Sequence, residues 1–326
     1  MNREPLRVVT TYPFEPEEVD RIQAGLPPGA VQFQVCKAGE DFVRHLATAD
    51  IVYGGITGAE LARAPKLKWI QAGAAGLDSL EAAVLKSPVP LTNYAGTFAP
   101  AIAETALGML LCLTRGISKY YVPQFLQRRM EPVGTMKSDH HTEIAGRTMG
   151  IAGMGGIGRA LARKAYYGFE MKIVGTTDMP APKPDYVAEL RDPSWFSEMV
   201  PQVDVLVAAA PLTAATERMF NEAVFRRMKK TAYFLALSRG RLFDDMALVR
   251  ALKEGWIAGA GLDVFPQEPP PPEHPIFDCP NVVMTAHTSG WGPDRQRRLI
   301  ALFAENLRRF VAGEPLLNLV DREKGY

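Results

Sequence analysis

The chain has 326 residues, 47% of them apolar and 22% charged, with a formal net charge of +1. That composition buries a core and excludes a disordered chain, and the length calls for two domains. Near-neutral charge leaves no electrostatic footprint for nucleic acid or an anionic membrane surface, so neither is expected as a partner.

Cys36, Cys112 and Cys279 are odd in number and far apart, which fits neither a disulfide framework nor a metal site. The opening Met1-Asn-Arg-Glu-Pro lacks the apolar core of a signal peptide. The longest apolar stretch, 106–113, is far short of the about 20 residues a membrane span needs. The expected location is the cytoplasm.

The first hundred residues alternate short β-rich runs (6–11, 31–35, 50–54, 67–71) with helical spacing at 16–25 and 40–48. Such alternation predicts a parallel sheet covered by helices. Residues 100–130 read as one or two long helices. A second alternation comes next, with strands predicted at 148–152, 171–175, 204–209, 232–237, 260–264 and 282–285. Six strands in this arrangement suit a doubly wound dinucleotide-binding domain. Residues 295–311 form an amphipathic helix that can return to the first domain.

Gly153-Met-Gly-Gly-Ile-Gly158 follows an apolar strand and opens a helix, with Asp178 lying 20 residues beyond Gly158. Gly153 allows a tight turn, Gly155 lets backbone approach a pyrophosphate, and Gly158 lets helix pack on strand. The next helix, 159–167, aims its positive end at the same group. A glycine-rich turn in some unrelated α/β protein is the bland alternative.

Three predicted strands deliver polar groups at their carboxyl ends, where open α/β sheets bind ligands. They are Arg239 in Ser238-Arg239-Gly240, Glu268 beyond Gly261-Leu-Asp-Val-Phe265, and His287 in Val282-Val-Met-Thr-Ala-His287-Thr-Ser-Gly290. Singly, each reads as a surface salt bridge, a solvated acid or a structural histidine. Together they supply what carbonyl reduction needs. An imidazolium protonates the developing oxyanion, a carboxylate orients the ring and favours its charged form, and a guanidinium grips a carboxylate and polarises the carbonyl.

With these residues the chain resembles the D-isomer-specific 2-hydroxyacid dehydrogenases, including the glyoxylate and hydroxypyruvate reductases, over nearly its whole length. Gln71-Ala-Gly-Ala-Ala-Gly76-Leu-Asp78 is similar to the family's substrate loop, which implies that the amides of Ala74, Ala75 and Gly76 hold the substrate carboxylate. Pro100-Ala-Ile-Ala-Glu104 resembles the start of its interdomain and dimer helix. Pro211-Leu-Thr-Ala-Ala-Thr216 resembles its ribose-side loop.

The resemblance implies Arg239, Glu268 and His287 as catalytic residues, with Arg239 also binding substrate. It implies cofactor contacts from Gly153, Gly155, Gly156, Ile157, Gly158, Thr177, Asp178, Pro211, Thr216, Leu237, Ser238, Asp263 and Gly290, with Asp263 on the carboxamide. The implied fold is two doubly wound parallel-sheet domains. A flavodoxin-like substrate domain comprises 1–98 plus 292–326, and a Rossmann NAD(P)-binding domain comprises 99–291. The implied activity is reduction of a small 2-keto acid to the D-2-hydroxy acid with NAD(P)H by a homodimer, the helix near 101–113 lying in the contact.

One position departs from the family pattern. An NAD enzyme carries an acid where Thr177 stands, with Asp178 one step on, whereas some NADP-using relatives carry arginine nearby. No arginine lies between 171 and 190, so NAD is expected over NADP, with Lys183 the nearest cation downstream. A nucleotide-sensing binding protein, similar to corepressor relatives, is disfavoured because all three catalytic residue types are present. Formate dehydrogenase is disfavoured because glutamine would replace Glu268.

Among the remaining residues, His140 and His141 are expected solvated in a polar loop, His45 and His274 structural or exposed, and Asp244 a helix cap. Trp291 either lines the substrate pocket or closes the domain interface.

Overall fold

A computed structural model describes residues 4–135, 140–179 and 182–325. The chain divides into two compact units, residues 1–97 with 292–326 and residues 98–291. The outermost positions of the first unit, 1–3 and 326, lie outside the described residues.

The first unit carries β1 (Leu6–Thr10), β2 (Val31–Val35), β3 (Ile51–Tyr53), β4 (Trp69–Gln71) and β5 (Leu91–Thr92). They form one parallel sheet in the order β2-β1-β3-β4-β5, the flavodoxin-like arrangement. Strands covered on both faces need continuous apolar runs, and Ile51, Val52, Trp69 and Ile70 are all buried. At the edge, β2 retains the polar Gln32 and Gln34. The strand β5 is absent from the sequence-based expectation, since two residues carry no periodicity.

The helix Asp294–Ala312 supplies part of this unit's core from the far end of the chain. Phe303 is fully buried, with its ring centroid 4.5 Å from Tyr53 and 5.6 Å from Trp69. The Gln296 amide donates to the Tyr12 hydroxyl at 2.6 Å and to Glu18 at 2.8 Å. Tyr94 donates to the Tyr53 hydroxyl at 3.1 Å. Burial pushes the Tyr53 hydroxyl up to about 12 and raises that of Tyr94 too, so both stay neutral near pH 7.

The second unit carries β6 (Thr148–Ala152), β7 (Lys172–Thr176), β8 (Glu189–Arg191), β9 (Val205–Ala208), β10 (Tyr233–Ala236), β11 (Gly259–Leu262) and β12 (Val282–Met284). All run parallel, in the order β12-β11-β10-β9-β6-β7-β8. Numbered from β6, this is the dinucleotide-binding order 3-2-1-4-5-6 with a seventh strand added. The sheet therefore has one strand more than the six expected. The strand outside that expectation is β8, whose Glu-Leu-Arg sequence lacks an apolar run because it forms the partly exposed edge.

Helix Ala99–Thr114 packs against β11, where Gly261 allows close approach: a Cβ there would lie 3.0 Å from that of Met109. Nine of the helix's residues are buried. Most of the helix's apolar side chains are thus covered within the chain. The exposed apolar side chains come later, over the π-turn Ile117–Tyr121, the helix Val122–Leu126 and the stretch from there to Met130. They include Phe125 (68% exposed), Leu126 (75%) and Met130 (68%).

Among the described residues no single helix is long and apolar enough to cross a membrane. Asp244 caps helix Asp245–Lys253, accepting from the Ala247 amide at 2.8 Å. His141 is not simply solvated, since its Nε2 lies 3.2 Å from the Tyr121 hydroxyl.

Truncating Phe303 to alanine would leave a cavity beneath Tyr53 and Trp69. The expected loss is about 3–5 kcal/mol, read from urea denaturation followed by tryptophan fluorescence. A loss under about 1 kcal/mol would show that helix Asp294–Ala312 is not part of this core.

Candidate active site

The glycine turn after β6 has three different constraints. Gly153 has φ +98°, and a Cβ there would lie 2.4 Å from the Ala210 nitrogen. A Cβ on Gly158 would lie 2.3 Å from the Gly153 oxygen, so helix Gly156–Phe169 can meet the turn only through glycine. Gly155 has no atom within 4 Å of its Cβ position. Two glycines are thus fixed by packing, and the third leaves open space at a helix N-terminus that includes Gly156 and Ile157. That is the cradle a dinucleotide diphosphate requires, and the residues present fit the group. The Met154 amide donates to Thr176 O at 2.9 Å, and Arg159 Nε donates to Met154 O at 3.1 Å, fixing the turn against β7.

Beyond the end of β7, Thr177 donates its amide to Arg191 O at 2.9 Å, and Thr177 Oγ1 accepts from the Met179 amide at 3.2 Å. Asp178 is exposed. Arg191, one residue beyond the arginine-free interval 171–190, pairs opposite Thr176 through β8. It is engaged by Glu189 and lies 4.8 Å above the Trp195 ring. Lys183 donates to Val187 O at 2.6 Å. The loop after β9 is closed by Thr216, whose hydroxyl donates to Pro211 O at 2.7 Å and accepts from the Thr213 amide at 2.8 Å. Ser238 Oγ donates to Ala210 O at 2.9 Å, tying this loop to the end of β10 beside buried Leu237.

Arg239 is half-buried and extended (φ −143°, ψ 136°), and its Nη1 donates to Ser238 O at 2.7 Å. The next residue, Gly240, approaches the chain beyond β11 so closely that a Cβ would fall 1.8 Å from the Phe265 carbonyl carbon. Only glycine lets these two connections meet. Past Phe265, Glu268 turns back. Its Oε1 accepts from the Phe265 amide at 2.9 Å, and its Oε2 lies 2.7 Å from His287 Nδ1. With Nδ1 on the carboxylate, Nε2 is the ring nitrogen left to face a substrate.

Asp263, 1% exposed at the end of β11, gathers the loop that carries His287. Oδ1 accepts from Thr285 Oγ1 at 2.6 Å, the Thr288 amide at 3.0 Å and the Ser289 amide at 3.1 Å. Oδ2 accepts from Ser289 Oγ. The His287 amide donates to Asp263 O at 2.8 Å. His287 itself has φ +55°, a left-handed conformation that costs a non-glycine residue about 1–2 kcal/mol. Gly290 packs on Phe98. Sequence reasoning singles out Asp263 and His287 but misses Thr285 and Ser289. Their signal is two hydroxyls flanking a strand-end histidine.

In the first unit, Ala74 O accepts from the Tyr94 amide at 3.1 Å and Ala75 O from Asn93 Nδ2 at 2.9 Å. In a trans peptide the carbonyl and the following N–H point opposite ways. The amides of Ala75 and Gly76 therefore face away from Tyr94 and Asn93 respectively. Asn93, the brace, is also missed by sequence reasoning. Among the described residues no three His, Cys, Asp or Glu side chains are grouped to hold a metal. His274 accepts from the Ile276 amide at 3.2 Å and sits 3.3 Å from Asp245, a structural role. Trp291 is 65% exposed.

Residues 107–289 match the D-isomer specific 2-hydroxyacid dehydrogenase, NAD binding domain. A glyoxylate reductase of Korarchaeum cryptofilum is 36% identical over 265 residues, covering 80% of this chain and 78% of that protein. A D-isomer specific 2-hydroxyacid dehydrogenase from Xanthobacter autotrophicus, solved with NADPH and MES, superposes with TM-score 0.81 at 25% identity over 99% of this chain and 100% of that one. An NADPH-dependent glyoxylate/hydroxypyruvate reductase from Sinorhizobium meliloti, solved with NADP and sulfate, gives 0.78 at 27% identity over 98% and 100%. The chain therefore belongs to the D-isomer specific 2-hydroxyacid dehydrogenase family.

Proposed function

We propose that the protein reduces a small 2-keto acid, of the size of glyoxylate or hydroxypyruvate, to its D-2-hydroxy acid. The observation that carries this reading is the 2.7 Å contact between His287 Nδ1 and Glu268 Oε2, with Glu268 itself fixed by the Phe265 amide. The substrate class is that of the glyoxylate reductases it resembles at 36% identity.

The cofactor contacts are assigned to Gly153, Gly155, Gly156, Ile157 and Gly158 at the diphosphate and to Thr177 and Asp178 at the adenosine ribose. Pro211, Thr216, Leu237, Ser238 and Gly290 line the remaining length. Asp263 keeps only Oδ2, already facing Ser289 Oγ, for a carboxamide. A nicotinamide cofactor held there supplies the hydride. Arg239 binds the substrate carboxylate and polarises its carbonyl, with the amides of Ala74, Ala75 and Gly76 as further donors. His287 donates its Nε2 proton to the carbonyl oxygen as negative charge grows there. Glu268 keeps the ring oriented and balances the charge the histidine carries.

His287→Ala is expected to lower turnover by on the order of 10²–10⁴-fold while leaving cofactor binding largely intact. In the same assay Arg239→Lys keeps the charge but loses the fork, so KM should rise and kcat fall. Near-normal steady-state kinetics in both variants would remove these residues from the site.

We read NAD as the preferred cofactor. Asp178 and Asp192 follow the carboxyl ends of the paired strands β7 and β8, whereas Lys183 is occupied by a backbone carbonyl and Arg191 by Glu189 and Trp195. A 2′-phosphate would meet acids without a ready cation. The kcat/KM ratio of NADH to NADPH with one keto acid should be about tenfold or more, equivalent to roughly 1.4 kcal/mol. A strong NADPH preference would instead mean that Arg191 leaves Glu189 for the phosphate.

We further propose a homodimer built on the exposed apolar side chains of 117–130. Light scattering should give twice the chain mass at micromolar concentration, and Phe125→Asp with Leu126→Asp should return it to one. A wild-type monomer would defeat the proposal.

A further inference from the structure

His287 is the described residue of the candidate site whose backbone is left-handed without being glycine. Elsewhere such a conformation has a local reason: Glu170, for example, closes helix Gly156–Phe169. No helix ends at His287. Its conformation must be imposed by its surroundings, because strain of this kind persists only where neighbours over-determine it.

The neighbours that do so are on both sides in sequence. Thr285, two residues before, donates its hydroxyl to Asp263 Oδ1 at 2.6 Å. Thr288 and Ser289, directly after, donate amides to the same oxygen at 3.0 and 3.1 Å. Ser289 Oγ donates to Oδ2. The His287 amide is spent on Asp263 O at 2.8 Å. Thr105 Oγ1 holds the Ser289 carbonyl from the opposite side at 3.5 Å. The whole turn is thus folded round one buried carboxylate. The conformation this forces puts the exposed imidazole against Glu268.

We propose that Thr285 and Ser289, acting through Asp263, are positioning residues for the proton donor. Their hydroxyls hold His287 in its left-handed conformation, and without them the backbone relaxes and Nδ1 leaves Glu268. The inference rests on the reading of His287 as proton donor. A hydroxyl's deletion would then act on catalysis through the same ring as a change at Glu268.

The test uses the full chain with NADH and glyoxylate. Thr285→Val removes the hydroxyl at nearly constant shape, Thr285→Ser keeps it, and Ser289→Ala removes the second. Thr285→Val and Ser289→Ala should each lower kcat by roughly 10- to 100-fold, as misplacement of a catalytic group does. Thr285→Ser should stay close to wild type, and NADH affinity should change by less than about twofold in both Thr285 variants. Each deletion combined with Glu268→Gln should cost less than the product of the two single losses, because both act on one ring. Fully multiplicative losses, or unchanged kcat in Thr285→Val and Ser289→Ala, would overturn the proposal. If Ser289→Ala fails to fold, the Val/Ser pair at 285 decides alone. His287→Ala with normal turnover would instead overturn the underlying reading, a result separable from failure of the positioning role.

Discussion

A carboxylate cut off from water is costly unless its oxygens are satisfied by donors, and Asp263 at the end of β11 is almost completely buried. Meeting that demand organises the site. The donors come from the segment after β12, so the neighbouring strand end is pulled over the acid and its histidine is turned outward. The same stretch of chain that leaves Asp263 passes against Gly240 and then presents Glu268. Arginine, glutamate and histidine arrive from β10, β11 and β12 because these strands are adjacent and parallel, so all three connections emerge from one edge.

Much of this is legible in the sequence because strong local signals coincide with it. Apolar runs such as Val205–Ala208, and Ile173 with Val174 in β7, mark strands buried on both faces. The spacing of Gly153, Gly155 and Gly158 has a steric meaning that the structure returns atom by atom. Strand ends carrying Arg239, Glu268 and His287 are visible as polar residues after apolar ones. The illegible features are those that depend on a partner distant in sequence. β8 is polar because it is an edge, and β5 is held as two residues between β4 and the Leu319 bridge. Thr285 and Ser289 look like ordinary loop residues until Asp263, 22 and 26 positions away, is placed beside them.

The helix Ala99–Thr114 shows what an apolar pattern leaves open. A run of alanine, leucine and methionine between two domains reads equally as an interface or as a core, because periodicity reports burial and not what does the burying. Here helix Gly156–Phe169 and β11 do so. The surface that remains apolar is the less regular segment after it, where Phe125 and Leu126 sit on a helix of only five residues. At the ribose end the opposite holds. The local sequence displays its acid plainly, while the nearest guanidinium reaches the same region only by strand pairing and comes with its own counter-charge.

The first unit is made from two pieces of chain with 194 residues, 98–291, inserted between them. Its five strands leave the ribosome before the inserted unit, but Phe303, which packs against Tyr53 and Trp69, is synthesised after it. During synthesis the continuous middle unit can complete its core while the earlier strands still lack theirs. The order of emergence is thus the reverse of the order of completion. For that interval the nascent chain exposes the aromatic face of an unfinished sheet, a form open to capture by chaperones. Translation stalled before the last helix would leave a finished nucleotide-binding fold tethered to a sheet that cannot close.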